Sequence, residues 1–191
     1  FVMLLGGVGL AVQTFVAQYE GSGRRWRAGH ATWVGIWGAA VTLPLFVLLS
    51  WNGGMLLAPF GLDPAVQGHA LEYWWPRMLG APLGVALWAV LGFFNGVSRP
   101  RVTVMTTTIV AGINVVLNQL LIFELGWGMA GAAWATNISM LVGLLFALAL
   151  GGLMPVDEVS AAAPAPSANT TAVAAEVEDE ADEDSDDAEE E

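Results

Sequence analysis

The chain alternates between long apolar blocks and short polar turns. A membrane-spanning helix needs about 20 mostly apolar residues. Five blocks meet that length, at about 1–19, 31–50, 73–97, 102–123 and 129–153. The turns between them are polar or glycine-rich: Glu20-Gly-Ser-Gly-Arg-Arg-Trp-Arg27, Ser98-Arg-Pro-Arg101 and Glu124-Leu-Gly-Trp-Gly128. Asn52-Gly53-Gly54 and the stretch from Pro59 to Pro64 form a longer loop with room for a short interfacial helix. Pro76 falls in the first turn of the third block, where a missing N–H costs nothing. Pro82 lies deeper and predicts a kink. The pattern therefore predicts an all-α, polytopic transmembrane bundle of about five helices over residues 1–154, with a different kind of segment from 155 to 191.

Charge explains that second segment. The chain carries a net charge of −12, yet 14 of its 18 acidic residues lie at or after Asp157. From Glu176 onward 12 of 16 residues are acidic, after a stretch rich in Ala, Pro, Ser and Thr. Such a composition cannot bury enough apolar surface to offset ordering entropy, and it predicts a disordered acidic tail. The tail reads either as a regulatory or ion-attracting element or as a solvated extension that stays off an anionic membrane surface. Without it, residues 1–156 hold six arginines against Glu20, Asp63, Glu72 and Glu124. Soluble domains carry about 25% charged residues. A segment this poor in charge is built for hydrocarbon.

Other function classes find little to build on. There is no Cys, hence no disulfide framework or thiolate metal site. His30 and His69 lie far apart, so no protein metal centre is expected. No nucleophile–base set, phosphate loop or intrahelical carboxylate pair is present, so the chain does not read as an enzyme. Five of the six arginines are explained by topology, which argues against nucleic-acid binding. Arg24, Arg25 and Arg27 follow the first helix, and Arg99 and Arg101 follow the third. Two helices separate these turns, so they share a side, which the positive-inside rule makes cytoplasmic. The expected location is a multi-pass cell membrane protein (plasma or inner membrane) with a cytoplasmic tail. Residue 1 is then outside, which with Phe rather than Met at that position leads us to expect at least one upstream helix. Arg77 sits with Trp74 and Trp75 at the outer interface, and Glu72 is expected to pair with it.

Polar side chains inside hydrocarbon are costly and usually face a cavity or another helix. The fourth helix holds Thr107, Asn114 and Asn118, with Ala111 on the same stripe; Val110, Val115 and Leu117 would face lipid. The asparagines are four apart and so share a face. The fifth helix adds Thr136 and Asn137. Two readings of Asn114, Asn118 and Thr136 stand side by side. They are helix-to-helix glue, with hydrogen bonds worth about 0.6 kcal/mol each, or they line a transport cavity. In the second case their oxygens would ligate Na⁺, hold water, or bond a protonated carboxyl from elsewhere. Gly80 with Gly84, and Gly92 with Gly96, form small-xxx-small pairs that permit close helix approach.

An ordered series of motifs resembles the multidrug and toxic compound extrusion (MATE) family of antiporters. It comprises Arg77-Met-Leu-Gly-Ala-Pro82, Gly92-Phe-Phe-Asn-Gly96, Ser98-Arg-Pro-Arg101, Asn114-Val-Val-Leu-Asn118 and Gly128-Met-Ala-Gly131-Ala-Ala-Trp-Ala-Thr136. Gln18-Tyr-Glu-Gly-Ser-Gly23 is similar to the family's turn after its second helix. The resemblance covers about residues 1–150. It implies helices two to six of a six-helix amino-terminal lobe, with the first helix and the second lobe supplied by the rest of the transporter. It also implies a cation network through Asn114, Asn118 and Thr136. Asn118 stands where the family has Asp or Asn, so this position itself cannot be protonated. The implied function is export of organic cations or drugs in exchange for Na⁺ or H⁺, with no cofactor beyond the coupling ion. The expected partners are the lipid bilayer and small organic cations. Two alternatives remain: a flippase for lipid-linked precursors with related architecture, and a truncated, non-transporting membrane fragment or scaffold.

Overall fold

The structure, a computed structural model, describes residues 6–153. The expected disordered tail and the first five residues of the first expected helix lie outside the described residues. Helix α1 runs Gly7–Gly21, α2 Arg25–Val41 and α3 Leu43–Trp51. A short α4, Gly53–Leu57, and a 3₁₀ turn, Ala58–Phe60, fill the loop that follows. Then come α5, Pro64–Leu79; α6, Ala81–Gly96; α7, Pro100–Asn118; a π-helical turn, Gln119–Glu124; and α8, Gly128–Leu153. No strand occurs among the described residues.

Three of these helical stretches are long and apolar enough to cross a membrane: Trp26–Trp51, which joins α2 to α3, Pro100–Glu124, and Gly128–Gly151. A fourth crossing forms if α5 and α6 count as one broken span. Their surroundings identify the solvent. Only 11% of the apolar window in Pro100–Glu124 is buried within the protein. Val104, Val115, Val116 and Phe123 point outward from it, so what faces them must itself be apolar.

The third helix differs from its expected span of 73–97. Helix formation starts at Pro64, where Asp63 caps the N-terminus by accepting from the Ala65 N–H at 2.9 Å and Pro64 occupies the first helical position. Gln67, Gly68, His69 and Glu72 make this first part too polar to register as an apolar block. Pro76 consequently lies deep in α5, not in a first turn. The helix then breaks at Gly80, and α5 and α6 meet at 48°. Two missing donors bracket the break: Pro76 cannot bond back to Glu72, and Pro82 cannot bond back to Met78.

Helix α6 is the hub of the bundle. Twelve of its sixteen residues are buried, so it is enclosed nearly all round, by α1, α2, α7 and α8. Val85, Leu87, Val90, Leu91 and Phe94 form the main core with Ala39, Leu144 and Ala147. In a membrane such contacts are selected by close packing, because lipid tails are as apolar as leucine. The expected glycine pairs supply that packing. Gly92 lies against the Gly9 backbone, and a methyl group on Gly96 would come within 2.7 Å of Val16. Gly80 and Gly84 face Asn137 and Met140 of α8.

These contacts also fix helix directions. Gly9 meets Trp88 and Gly92, while Val16 meets Gly96, so α1 and α6 run parallel. Gly80 meets Asn137, Leu87 lies by Gly143, and Phe94 reaches Gly151, so α6 and α8 are parallel too. The arginine-bearing turn after α1, the one after α6 and the end of α8 therefore lie on one side of the bundle.

Candidate functional site

Helices α7 and α8 are antiparallel neighbours joined by a tight turn. Gly126 and Gly128 in that turn adopt left-handed backbone conformations, with φ of 66° and 55°, which glycine tolerates best. The face of α7 turned to α8 follows a spacing of four: Thr106, Val110, Asn114 and Asn118. Gly143 of α8 makes the notch that receives Val110 and the Thr106 methyl, and Gly131 receives the Leu121 carbonyl at the other end. Between those notches, Thr136 meets Asn114.

The three polar side chains form one hydrogen-bonded chain. Asn118 Nδ2 donates to Asn114 Oδ1 at 2.9 Å. Asn114 Nδ2 donates to Thr136 Oγ1 at 3.2 Å. The Thr136 hydroxyl donates to the Ala132 carbonyl at 3.0 Å. The last link fixes the direction of the others. A carbonyl only accepts, so the threonine proton is committed to it and Thr136 Oγ1 must accept from Asn114. Asn114 then presents its oxygen to Asn118, whose NH₂ is used in turn. What remains is Asn118 Oδ1, a buried acceptor with no hydrogen-bond partner among the described residues. Its complement is a donor or a cation: a protonated carboxyl or a metal ion suits it, whereas an ionised carboxylate does not.

Immediately after Asn118 the helix widens into the π turn, with the Leu125 N–H bonded to the Leu120 carbonyl at 2.9 Å. Single π turns recur at functional sites because they re-aim neighbouring side chains. Here the turn brings the Leu121 carbonyl to Gly131 and to the Trp127 N–H at 2.9 Å.

Some residues differ from their expected places. Thr107 is exposed and bonds to the Thr103 and Val104 carbonyls of its own helix, outside the cluster. Thr106 takes the inward position and is fully buried. Val110, expected to face lipid, packs against the core. Both stripes satisfy helical spacing with the asparagines; the Gly143 notch decides between them. Arg77 donates to Asn137 Oδ1 at 3.4 Å, and Glu72 instead lies 3.4 Å from His69 Nδ1. Asn137, adjacent to Thr136 but a helix face away, donates to the Pro76 carbonyl and so spans the α5–α6 break. Its role had no signal in the sequence, since the break itself was expected two residues later. Asn95 accepts from Thr103 at 2.8 Å and ties α6 to α7.

Among known proteins, a model of the MatE family matches residues 1–120, which include Asn114 and Asn118. The fold is similar to an inward-facing structure of a multidrug resistance MATE family transporter of the MOP superfamily. That likeness has a TM-score of 0.75 at 21% identity and covers 88% of this chain and 39% of that one. It is similar also to an outward-facing structure of such a transporter, with TM-score 0.69, 24% identity, and 75% and 32% of the two chains covered. A third likeness is to a MOP superfamily transporter from Pyrococcus furiosus whose binding pocket is described as of reverse polarity, suggesting a different function for that protein. There the TM-score is 0.66 and identity 25%, over 78% of this chain and 33% of that one. The chain thus spans under two-fifths of the length of each.

Proposed function

Because this chain belongs to the MatE family, we propose that it forms most of the amino-terminal lobe of a secondary active transporter exporting organic cations or drugs in exchange for Na⁺ or H⁺. The rest of that transporter supplies a first helix and a second lobe. The two arginine-bearing turns and the end of α8 face the cytoplasm, as the positive-inside rule requires, and the acidic tail leaves from that side.

The observation that carries this reading is the unpartnered Asn118 Oδ1 at the end of the fixed hydrogen-bond chain. Packing alone would be served by pairing both ends. An acceptor held ready by two side chains and a backbone carbonyl suits a ligand that comes and goes. Na⁺ would bind there through the neutral amide and hydroxyl oxygens. In the proton-coupled case a carboxyl on another helix would carry the proton and donate to Asn118 Oδ1, since an amide does not titrate. Either ligand favours one arrangement of the lobes by the difference in its affinity for the two. Likeness of this lobe to both an inward- and an outward-facing structure supports a unit that keeps its fold while the lobes rock.

In the natural full-length protein, Asn114→Ala and Asn118→Ala should each weaken ion coupling. Losing one hydrogen bond to a charged partner costs about 2 kcal/mol, which is roughly thirtyfold in ion affinity. The readout is drug efflux from proteoliposomes against the concentration of the driving ion. Unchanged ion dependence at normal expression would remove these residues from the mechanism.

A further inference from the structure

A cavity of about 550 Å³ lies between α1 and α2 at the surface of the described bundle. Its walls are graded. The deep part is apolar, made by Val8, Phe15 and Val34 among others, and Phe15 and Val34 are more than half exposed. The shallow end, next to the arginine-bearing turn, gathers Tyr19, Trp26, Arg27 and His30. The guanidinium of Arg27 lies 5.2 Å from the centre of the Trp26 ring, a cation–π contact that holds it at the groove mouth.

The dimensions identify the occupant class. From Val8 to Tyr19 the groove runs eleven helical rises, about 16 Å. Half the hydrocarbon core of a bilayer is about 15 Å. The groove is therefore one leaflet deep, apolar along the chain and cationic at headgroup height. A free phosphate would have no use for the apolar length, and an organic cation would be repelled by Arg27. We propose that this groove is a binding site for one anionic phospholipid of the leaflet on the arginine side. The lipid lays an acyl chain along α1 and α2 and places its phosphate at Arg27, whose forked donors match phosphate oxygens. His30, Trp26 and Tyr19 flank the headgroup. The site goes beyond the transport reading and does not depend on it: a protein with no efflux activity would hold the lipid equally.

Native mass spectrometry of the natural full-length protein tests this directly. The protein is exchanged into detergent with equal phosphatidylglycerol and phosphatidylcholine. We expect one phosphatidylglycerol to be retained in preference to phosphatidylcholine. Arg27→Gln should lower that retention about fivefold, the effect of one interfacial cation on an anionic lipid. Ala11→Trp plugs the groove from an exposed wall position and should abolish retention with Arg27 intact. Val34→Trp serves as the plug from the opposite wall should the first variant not fold. Arg101→Gln, on the same side but outside the groove, should retain the lipid as the unaltered protein does. Equal retention of both lipids would overturn the proposal. So would retention insensitive to either the plug or Arg27→Gln, or an Arg101→Gln loss as large as that of Arg27→Gln.

Discussion

Thr136 has a single hydroxyl proton, and the direction of the whole polar chain follows from where it goes. Thr136→Val removes the acceptor for Asn114 Nδ2 and leaves a part-buried amide short of a partner. The expected cost is about 1–3 kcal/mol, read as a lower melting temperature of the full-length protein. Thr136→Ser keeps the oxygen and should melt as the unaltered protein does; a loss in Thr136→Ser with none in Thr136→Val would mean that the methyl group, not the hydroxyl, is what matters. Asn114, Asn118 and Thr136 were legible in the sequence because polar side chains stand out in an apolar block and the first two are one turn apart. Thr106 was not legible. It and Thr107 are chemically identical neighbours, and only the Gly143 notch on another helix turns Thr106 inward.

Helix ends are set by local chemistry, and at both ends of α5 that chemistry outweighed apolar length. Asp63-Pro64 starts α5 nine residues before the apolar block does. At its other end, between Pro76 and Pro82, the break falls at Gly80, where any side chain would collide with the Asn137 amide, which is already bonded to the Pro76 carbonyl. Gly80→Ala should therefore destabilise the protein by about 1–3 kcal/mol through overpacking. In combination with Asn137→Ala, which clears the space, most of that loss should disappear. A double-mutant cycle on thermal unfolding should show a coupling of about 0.5–3 kcal/mol; simple additivity would separate the break from Asn137. The short helix in the 52–64 loop was foreseeable from its glycines and prolines. The π turn after Asn118 was not, since Gln119-Leu-Leu-Ile-Phe-Glu124 has no residue that distinguishes π from α. Contact with Gly131 on α8 accompanies the wider turn.

At the scale of the molecule, the bundle places its cationic turns on one side through parallel packing of α1, α6 and α8, and the count of apolar blocks alone led to the same sidedness. With no native cysteine in this chain, that arrangement can be mapped by single substitutions in a cysteine-free background of the full-length protein. Ser22→Cys and Ser98→Cys should react with a membrane-impermeant thiol reagent only from the cytoplasmic face. Asp63→Cys and Gly126→Cys should react only from the opposite face. Labelling of Ser22→Cys and Ser98→Cys from different faces would break the topology. The proposed transport couples ion movement to expulsion of a cation, with Asn118 Oδ1 as the acceptor through which the ion acts. Its most direct measurement is efflux of an organic cation from proteoliposomes holding the full-length protein, under an imposed Na⁺ or proton gradient. Efflux should follow one of the two gradients, stop when that gradient is collapsed, and lose its gradient dependence in Asn118→Leu. Efflux indifferent to both gradients, or an Asn118→Leu protein driven as strongly as the unaltered one, would contradict it.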